Sequence, residues 1–131
     1  MRVLIVEDEL VSRKKLEKML AFCDGDIQCV EDGKKGVEAF AAALKNGEPY
    51  DLIFLDILMP EMNGLAALEE IRRIEKEKNI VKSVQVKIVM LTGLDDAESV
   101  MNSHLSGCDA YLLKPVNKSD LVKILQDFQP L

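Results

Sequence analysis

Short, mainly apolar runs alternate with amphipathic stretches five times along this chain. The runs cover residues 3–6, 27–30, 52–55, 86–91 and 110–113, and a polar residue bounds each run at both ends. Apolar runs of this length are typical of strands buried on both faces of a sheet. Strands that alternate with helices form parallel sheets with right-handed crossovers. The pattern therefore predicts an α/β, doubly wound fold, in which a five-stranded parallel sheet carries helices on both faces.

Hydrophobic residues at helical spacing follow each predicted strand. The second stretch has the clearest stripe, because Val37, Phe40, Ala41 and Leu44 stand at i, i+3, i+4 and i+7. The corresponding stripes of the other four helices begin at Leu16, Leu65, Ala97 and Leu121. Residues 75–85 are rich in charge and are predicted to form a frayed helix end followed by a loop.

Length and charge limit what this domain can be. With 131 residues, of which 48% are hydrophobic and 31% charged, the chain suits a single domain over residues 1–131 with a substantial core. Seventeen basic residues against twenty-three acidic ones give a net charge of −6. An acidic chain lacks the positive patch of a general nucleic-acid binder and is not attracted to anionic lipid. We therefore expect no direct partner among nucleic acids or membranes.

The cysteines and the first residues indicate a reducing compartment. Cys23, Cys29 and Cys108 are odd in number and form neither a Cys-x-x-Cys pair nor a zinc-ligand pattern with histidine. The first apolar run has only four residues, which is too short for a signal peptide or a membrane span. These observations predict a cytoplasmic protein.

Four of the five predicted strands end in residues suited to metal or phosphate chemistry. Glu7 and Asp8 follow the first strand, Asp56 the third, Thr92 the fourth and Lys114 the fifth. The carboxyl ends of parallel strands meet at one edge of the sheet, where folds of this class place their ligand sites. The sequence therefore predicts one site that contains three carboxylates, a hydroxyl and an ammonium group.

The residue types at this edge point to phosphoryl chemistry on Asp56. Three carboxylates raise one another's proton affinity unless positive charge intervenes. Lys114 supplies one charge, and Mg²⁺ would supply two, since it binds carboxylates, waters and a substrate phosphate oxygen. Asp56 follows four apolar residues, where a carboxylate is costly unless it is used or paired. A carboxylate can attack phosphorus in a reaction that depends on charge neutralisation, for which Lys114 and Thr92 are suited.

Four segments of the chain resemble the receiver domains of two-component response regulators. They are residues 6–9 (VEDE), 56–64 (DILMPEMNG), 91–92 (LT) and 111–115 (YLLKP). The segments occur in the family's order and spacing, and the resemblance extends from residue 2 to about residue 128. It implies a flavodoxin-like fold with strand order 2-1-3-4-5, and a stand-alone regulator similar to those of chemotaxis.

The resemblance also implies how the metal and the phosphoryl group are held. Asp56 would be the phosphoacceptor. Asp8, Asp56 and the backbone carbonyl of Leu58 would bind Mg²⁺, or Mn²⁺ in its place, and Glu7 would contribute directly or through a water. Lys114 would contact the phosphoryl group.

The resemblance further implies that two residues form a conformational switch. Thr92 would move toward the phosphoryl group, and the ring of Tyr111 would change rotamer in response. The Lys114–Pro115 peptide would be cis, which costs little only before proline. Thr92 taken alone could be an ordinary helix cap, but its place among the polar strand ends favours a phosphate contact. From the residues alone, Tyr111 could equally be a plain aromatic on an edge strand.

Two-component phosphorelay signalling is the function that the resemblance implies. A sensor histidine kinase or a phosphotransfer protein would donate the phosphoryl group, and the domain would catalyse only its own phosphorylation and dephosphorylation. The surface of the fourth helix, fifth strand and fifth helix would then bind a downstream protein. The basic run at residues 13–15 is either a solvated face or part of the phosphodonor's docking surface. We expect no output domain after the fifth helix, and a monomer, because residues 95–105 include acids but no Lys or Arg.

Two other functions use the same residues. A Mg²⁺-dependent phosphatase with an aspartyl-phosphate intermediate usually has a second aspartate two residues after the nucleophile. This chain has Leu58 at that position, which argues against turnover of an external substrate. A binding-only pseudo-receiver is the third possibility, and the intact set of Asp8, Asp56, Thr92 and Lys114 argues against it.

Departures from the family pattern predict a long-lived phosphorylated state. Gly93 stands where the family usually has alanine, and Leu58 and Leu94 are apolar at the two variable positions that flank the acyl phosphate. Because neither leucine can orient a water, we expect self-hydrolysis to be slow. Leu94→Glu is expected to release phosphate faster than the wild type in a time course after phosphorylation. Equal rates would contradict this hypothesis.

Overall fold

A single parallel sheet organises the chain. The computed structural model describes residues 1–22, 25–57, 59, 61–93 and 107–128. Within these residues five strands pair in the order β2-β1-β3-β4-β5, all in parallel. The strands are β1 (Arg2–Val6), β2 (Asp26–Val30), β3 (Leu52–Asp56), β4 (Lys87–Thr92) and β5 (Ala110–Leu113). The predicted fold class and strand order are confirmed.

Four α-helices lie within the described residues. They are α1 (Leu10–Met19), α2 (Gly33–Lys45), α3 (Gly64–Glu77) and α4 (Lys118–Phe128). Short 3₁₀ turns follow α1 at Leu20–Phe22 and precede β4 at Lys82–Val84. The helix predicted over residues 97–105 lies outside the described residues, so α4 is the fifth helix of the prediction. None of the described helices combines the length and apolar character that a bilayer span requires.

Two hydrophobic layers cover the sheet, one on each face. Alternate residues of β1 divide between them, because Leu4 and Val6 belong to the layer under α2 and α3, whereas Val3 and Ile5 belong to the layer under α1 and α4. Phe40 of α2 is the largest helix-borne side chain of the first layer. These layers confirm that helices occupy both faces.

The strand register brings the carboxyl ends of β1, β3, β4 and β5 level with one another. Val6 lies opposite Leu55, so the residue after β1 is level with Asp56. Asp56 in turn lies opposite Leu91, and Thr92 lies opposite Leu113. The pairing of the apolar strand residues therefore brings the predicted site residues together at the carboxyl ends of the strands.

The predicted helix end and loop over residues 75–85 are present, since α3 ends at Glu77 and a loop with the Lys82–Val84 turn leads to β4, but the helix does not fray from residue 75. Helix α3 continues to Glu77, and the side chain of Glu75 is only 1% exposed. Its carboxylate accepts hydrogen bonds from Arg72 Nη1 at 2.7 Å and from the backbone N–H of Val86 at 2.9 Å. Glu75 also continues the apolar stripe of α3, since it stands four residues after Ile71. The stripe was the sequence signal that could have revealed its burial.

Candidate functional site

Three acidic side chains lie together at the carboxyl edge of the sheet. Carboxylate oxygens of Glu7, Asp8 and Asp56 all lie within 4.8 Å of one another. Glu7 is 1% exposed and Asp56 is 5% exposed, whereas Asp8 is open to solvent. Oxygen ligands from one or two carboxylates, with open positions for water, are what Mg²⁺ prefers. The cluster fits a hard divalent cation in its donor atoms, its charge and its access to solvent.

Lys114 is the cationic side chain that contacts this cluster. Its Nζ lies 3.0 Å from Asp56 Oδ1, 3.0 Å from Glu7 Oε2 and 3.2 Å from Glu7 Oε1. Burial opposes the charged form of the ammonium, but hydrogen bonds and the charges of Glu7 and Asp56 outweigh it and raise the pKa of Lys114. Lys114 therefore stays protonated and places a positive charge against the carboxylates of Asp56 and Glu7.

Asp56 is held in an environment that favours its protonated form when no cation other than Lys114 is near. Burial raises the pKa of Asp56 to about 7, the Lys114 hydrogen bond and charge lower it, and the charge of Glu7 raises it. The single ammonium group of Lys114 is thus not enough to offset the burial of the Asp56 carboxylate. The site is built to receive further positive charge.

The backbone around β1 fixes the position of Glu7. Its N–H donates to the Val30 carbonyl at 3.1 Å, which continues the β1–β2 pairing by one residue. The side chain of Arg13 turns back from α1, and its Nη1 donates to the Glu7 carbonyl at 2.9 Å. Sequence reasoning placed Arg13 in a basic run and missed this contact, because the run contains no signal that distinguishes Arg13 from its neighbours.

A close approach of α3 to the end of β3 shapes the other side of the site. The N–H of Gly64 donates to the Ile57 carbonyl at 2.8 Å. A Cβ atom on Gly64 would stand 2.1 Å from the Asp56 carbonyl oxygen, a distance that no side chain tolerates. Asn63 caps α3 by accepting from the Ala66 N–H at 2.9 Å. The glycine of the 56–64 segment is therefore required for the packing of α3 beside Asp56.

The two predicted switch residues lie on neighbouring strands. Thr92 is buried at the end of β4, and its hydroxyl donates to the Gly93 carbonyl at 3.2 Å. Tyr111 is half-exposed on the edge strand β5, where its register partner is Met90. The Lys114 N–H donates to the Thr92 carbonyl at 2.7 Å, and the Lys114–Pro115 peptide is cis.

The structure brings together most of the predicted site. Glu7, Asp8, Asp56 and Lys114 share one cluster, and Thr92 ends the strand beside it. Leu58, the predicted carbonyl ligand, and Leu94, which was predicted to flank the acyl phosphate, lie outside the described residues. A buried carboxylate that contacts an ammonium group and lies beside two further carboxylates able to bind a cation can act as a nucleophile toward phosphorus.

Comparison with known proteins gives consistent results. A sequence model described as the response regulator receiver domain matches residues 3–126. Histidine kinase CKI1 of Arabidopsis thaliana is 31% identical over 141 residues, which cover 98% of this chain and 12% of the kinase. The chain spans only part of the first curated relatives that it matches, from 10% to 54% of their length.

Solved structures of similar fold include receiver domains with their ligands or partners. One is the receiver domain of sensor histidine kinase PA1611 from Pseudomonas aeruginosa with a magnesium ion in its active site cleft. It has a TM-score of 0.78 and 29% identity, with coverage of 97% of this chain and 95% of that chain. Another comes from the co-crystal structure of the Saccharomyces cerevisiae phosphotransfer protein Ypd1 and the receiver domain of Ssk1. It has a TM-score of 0.83 and 30% identity, with coverage of 100% and 92%.

Proposed function

Because this chain belongs to the response regulator receiver domain family of two-component signalling, we propose that it accepts a phosphoryl group on Asp56. The donor is a phosphohistidine of a sensor histidine kinase or of a phosphotransfer protein. The observation that carries this proposal is the contact of Lys114 Nζ with Asp56 Oδ1 at 3.0 Å inside a cluster of three carboxylates.

The proposed reaction transfers the phosphoryl group to a carboxylate oxygen of Asp56. That oxygen attacks phosphorus, and the bond between phosphorus and the donor's imidazole nitrogen breaks. The imidazole keeps the electron pair and takes up a proton from solvent. A new phosphorus–oxygen bond completes an aspartyl phosphate. Because the transition state spreads negative charge over the phosphoryl oxygens, catalysis consists mainly of positioning and charge neutralisation.

Each neighbouring side chain has a defined part in this step. The ammonium of Lys114 moves from the Asp56 carboxylate to a phosphoryl oxygen while Glu7 continues to hold it. The hydroxyl of Thr92 leaves the Gly93 carbonyl and donates to the phosphoryl group. Thr92 is buried, so its movement opens space at the end of β4 that the ring of Tyr111 fills from the edge strand.

Magnesium fits the remaining requirement for positive charge. Asp8 and Asp56 are the proposed ligands, with Glu7 direct or through water. The carbonyl of Leu58, which lies outside the described residues, is proposed as a further ligand. When bound, Mg²⁺ supplies two positive charges that neutralise the carboxylates and the phosphoryl oxygens. Support comes from the receiver domain of PA1611, which was crystallised with a magnesium ion in its active site cleft.

Intact-mass measurement after incubation with acetyl phosphate tests this function. We expect the chain to gain one phosphoryl group in the presence of Mg²⁺ and none when EDTA removes the ion. No gain under either condition would favour a binding-only pseudo-receiver. Repeated release of phosphate from a generic phosphomonoester would favour the phosphatase alternative.

The exposed start of α1 supports a docking surface for the phosphodonor beside the site. Val11 is 70% exposed, and Leu10 next to it is also exposed. A cavity of about 150 Å³ continues this surface between Val11, Lys15 and Pro115. Apolar side chains rimmed by charge are typical of protein interfaces. The co-crystal of the Ssk1 receiver domain with Ypd1 supports a phosphotransfer protein as the class of partner.

Val11→Asp is expected to slow phosphorylation by a phosphotransfer protein about tenfold or more, because a charge placed in the centre of an apolar contact disrupts it. Phosphorylation by acetyl phosphate, which needs no docking, is expected to stay unchanged. Val84→Asp is the matched control, since Val84 is also 70% exposed. The transfer rate is measured with a phosphotransfer protein that phosphorylates the wild type. Equal slowing by the two variants would remove α1 from the docking surface.

The output surface is proposed to include β5 and α4. Tyr111 and Leu113 are both half-exposed on this edge strand, whereas Leu112 between them is buried. The segment predicted as a helix over residues 97–105 belongs to the same proposed surface but lies outside the described residues. We further propose that the domain acts as a monomer in the cytoplasm and that its output is a contact with a downstream protein.

A further inference from the structure

A basic groove lies at the amino ends of β4 and β5, whereas the acidic site lies at the carboxyl ends of the strands. It has a volume of about 760 Å³ and lies between the end of α3, the segment that leads into β4, and the turn before β5. Among the described residues its lining includes Arg72, Lys76, Ile80, Val81, Lys82 and Lys87. Nothing in the proposed phosphoryl chemistry uses these residues, so the groove is a separate feature of the domain.

A network of charged side chains around the buried Glu75 joins the elements that form the wall of this groove. Arg72 Nε donates to the Gly107 carbonyl at 3.0 Å, its Nη1 to Glu75 at 2.7 Å and its Nη2 to Asp109 at 2.9 Å. Asp109 also accepts from the N–H of Ile88 at 2.8 Å. These bonds join α3 to β4 and to the turn before β5. The wall of the groove that these three elements form is therefore held together by side-chain hydrogen bonds.

Three lysines give the groove its positive charge. Glu75 and Asp109 neutralise Arg72, but in the part of the chain that is described no carboxylate lies within ion-pair distance of Lys76, Lys82 or Lys87. The three lysines thus form a locally positive surface on a chain whose net charge is −6. A local positive patch of this kind attracts an anionic partner.

The shape and lining of the groove distinguish among anionic partners. Exposed Val81 and half-buried Ile80 provide apolar contact next to the lysines. Single-stranded nucleic acids use aromatic platforms for their bases, and the described lining contains no aromatic side chain. Nucleotide phosphates are usually held by glycine-rich backbone at a helix start, whereas α3 ends at this groove. A peptide with alternating acidic and apolar side chains matches both features.

We propose that this groove docks an acidic, partly apolar peptide segment of a partner protein. Carboxylates of the peptide pair with Lys76, Lys82 and Lys87, and an apolar side chain packs on Val81. Lys87 and Thr92 stand at opposite ends of β4, which at ~3.3 Å per residue separates them by roughly 16 Å. The peptide therefore binds at the amino ends of the strands and the phosphodonor at their carboxyl ends, so both can be bound at the same time.

Fluorescence anisotropy tests the proposal with a labelled peptide in which glutamate alternates with leucine. We expect the wild type to bind it more tightly than a peptide of alternating lysine and leucine. The groove variant Lys76→Glu/Lys82→Glu/Lys87→Glu is expected to bind at least about tenfold more weakly. The matched variant Lys18→Glu/Lys34→Glu/Lys45→Glu changes the net charge equally on other exposed helix positions and is expected to bind within about twofold of the wild type.

Several outcomes of the same experiment would overturn the proposal. Equal loss of affinity in the two triple variants would mean that only net charge matters. Tighter binding of a single-stranded oligonucleotide, or concentration-dependent self-association that the groove variant abolishes, would assign the groove to nucleic acid or to a second copy. If the triple variant does not fold, Val81→Ser/Lys82→Glu replaces it, since both residues are exposed. Binding of the peptide is also expected to leave phosphorylation by acetyl phosphate unchanged, and competition between the two would contradict their separation.

Discussion

Asp56→Asn is expected to abolish phosphorylation of the chain by acetyl phosphate. The amide keeps the shape of the side chain but lacks the anionic oxygen that attacks phosphorus. Asp127→Asn is the matched control, because Asp127 is exposed near the end of α4 and far from the acidic cluster. Intact mass is the measurement. A phosphoryl group that is still gained by Asp56→Asn would remove Asp56 from its proposed role.

The same variant is expected to stabilise the metal-free fold at alkaline pH. Folding raises the pKa of Asp56 to about 7, so the folded state retains a proton that the unfolded state has already released. Stability therefore falls in the wild type as pH rises from the ordinary range of an aspartate toward about 7, and this loss is absent in Asp56→Asn. The variant's advantage in the free energy of unfolding is expected to be about 2 kcal/mol larger at about pH 8 than at about pH 5.

Urea titrations at the two pH values, with EDTA present, measure this difference. Asp127→Asn is again the control and is expected to follow the wild type at both pH values. An advantage of Asp56→Asn that is equal at both pH values would mean that Asp56 is not forced to hold a proton in the folded state.

Lys114→Met is expected to slow phosphorylation by acetyl phosphate about 100-fold. Loss of one well-placed electrostatic donor typically has an effect of this size on phosphoryl or acyl transfer. The variant also removes the group that lowers the proton affinity of Asp56, so the carboxylate is expected to be more often protonated at neutral pH. The rate is measured by intact mass over time at a fixed Mg²⁺ concentration.

The stability of Lys114→Met distinguishes this role from a purely structural one. Removing one member of a partly buried ion cluster is expected to cost about 2 kcal/mol at neutral pH, since Glu7 and Asp56 lose their shared partner. Lys123→Met, on the exposed face of α4, provides the matched control. A variant that folds, binds Mg²⁺ and is phosphorylated at the wild-type rate would show that Lys114 has no part in the reaction.

The position of the site could be predicted because it follows from the parallel direction of the strands. Apolar runs identify the strands, and parallel pairing then places the residues after Val6, Leu55 and Leu113 at one edge. This reasoning needs no side-chain detail, so it located Glu7 and Lys114 correctly beside each other.

Charged residues whose partners are distant in sequence could not be predicted in the same way. Arg72 and Arg73 both have glutamates at helical spacing, yet Arg73 pairs with Glu70 and Glu77 on the exposed face, and Arg72 pairs with the buried Glu75. The i, i+3 and i, i+4 spacing predicts a helical ion pair for both arginines and does not distinguish between them. The difference arises from tertiary contacts, because the Val86 backbone supplies hydrogen-bond partners to the partly buried Arg72 and to the buried Glu75. The basic groove could not be predicted from the sequence either, because the contacts that form its wall join residues distant in sequence.

The most direct test of the central claim locates the phosphoryl group on the chain. Borohydride reduces an acyl phosphate to an alcohol and so converts an aspartyl phosphate to homoserine. After phosphorylation with acetyl phosphate and Mg²⁺, reduction and fragmentation in a mass spectrometer, we predict homoserine at position 56. Homoserine at position 8, or a phosphoryl group on Thr92 that resists borohydride, would contradict the proposal that Asp56 accepts the phosphoryl group.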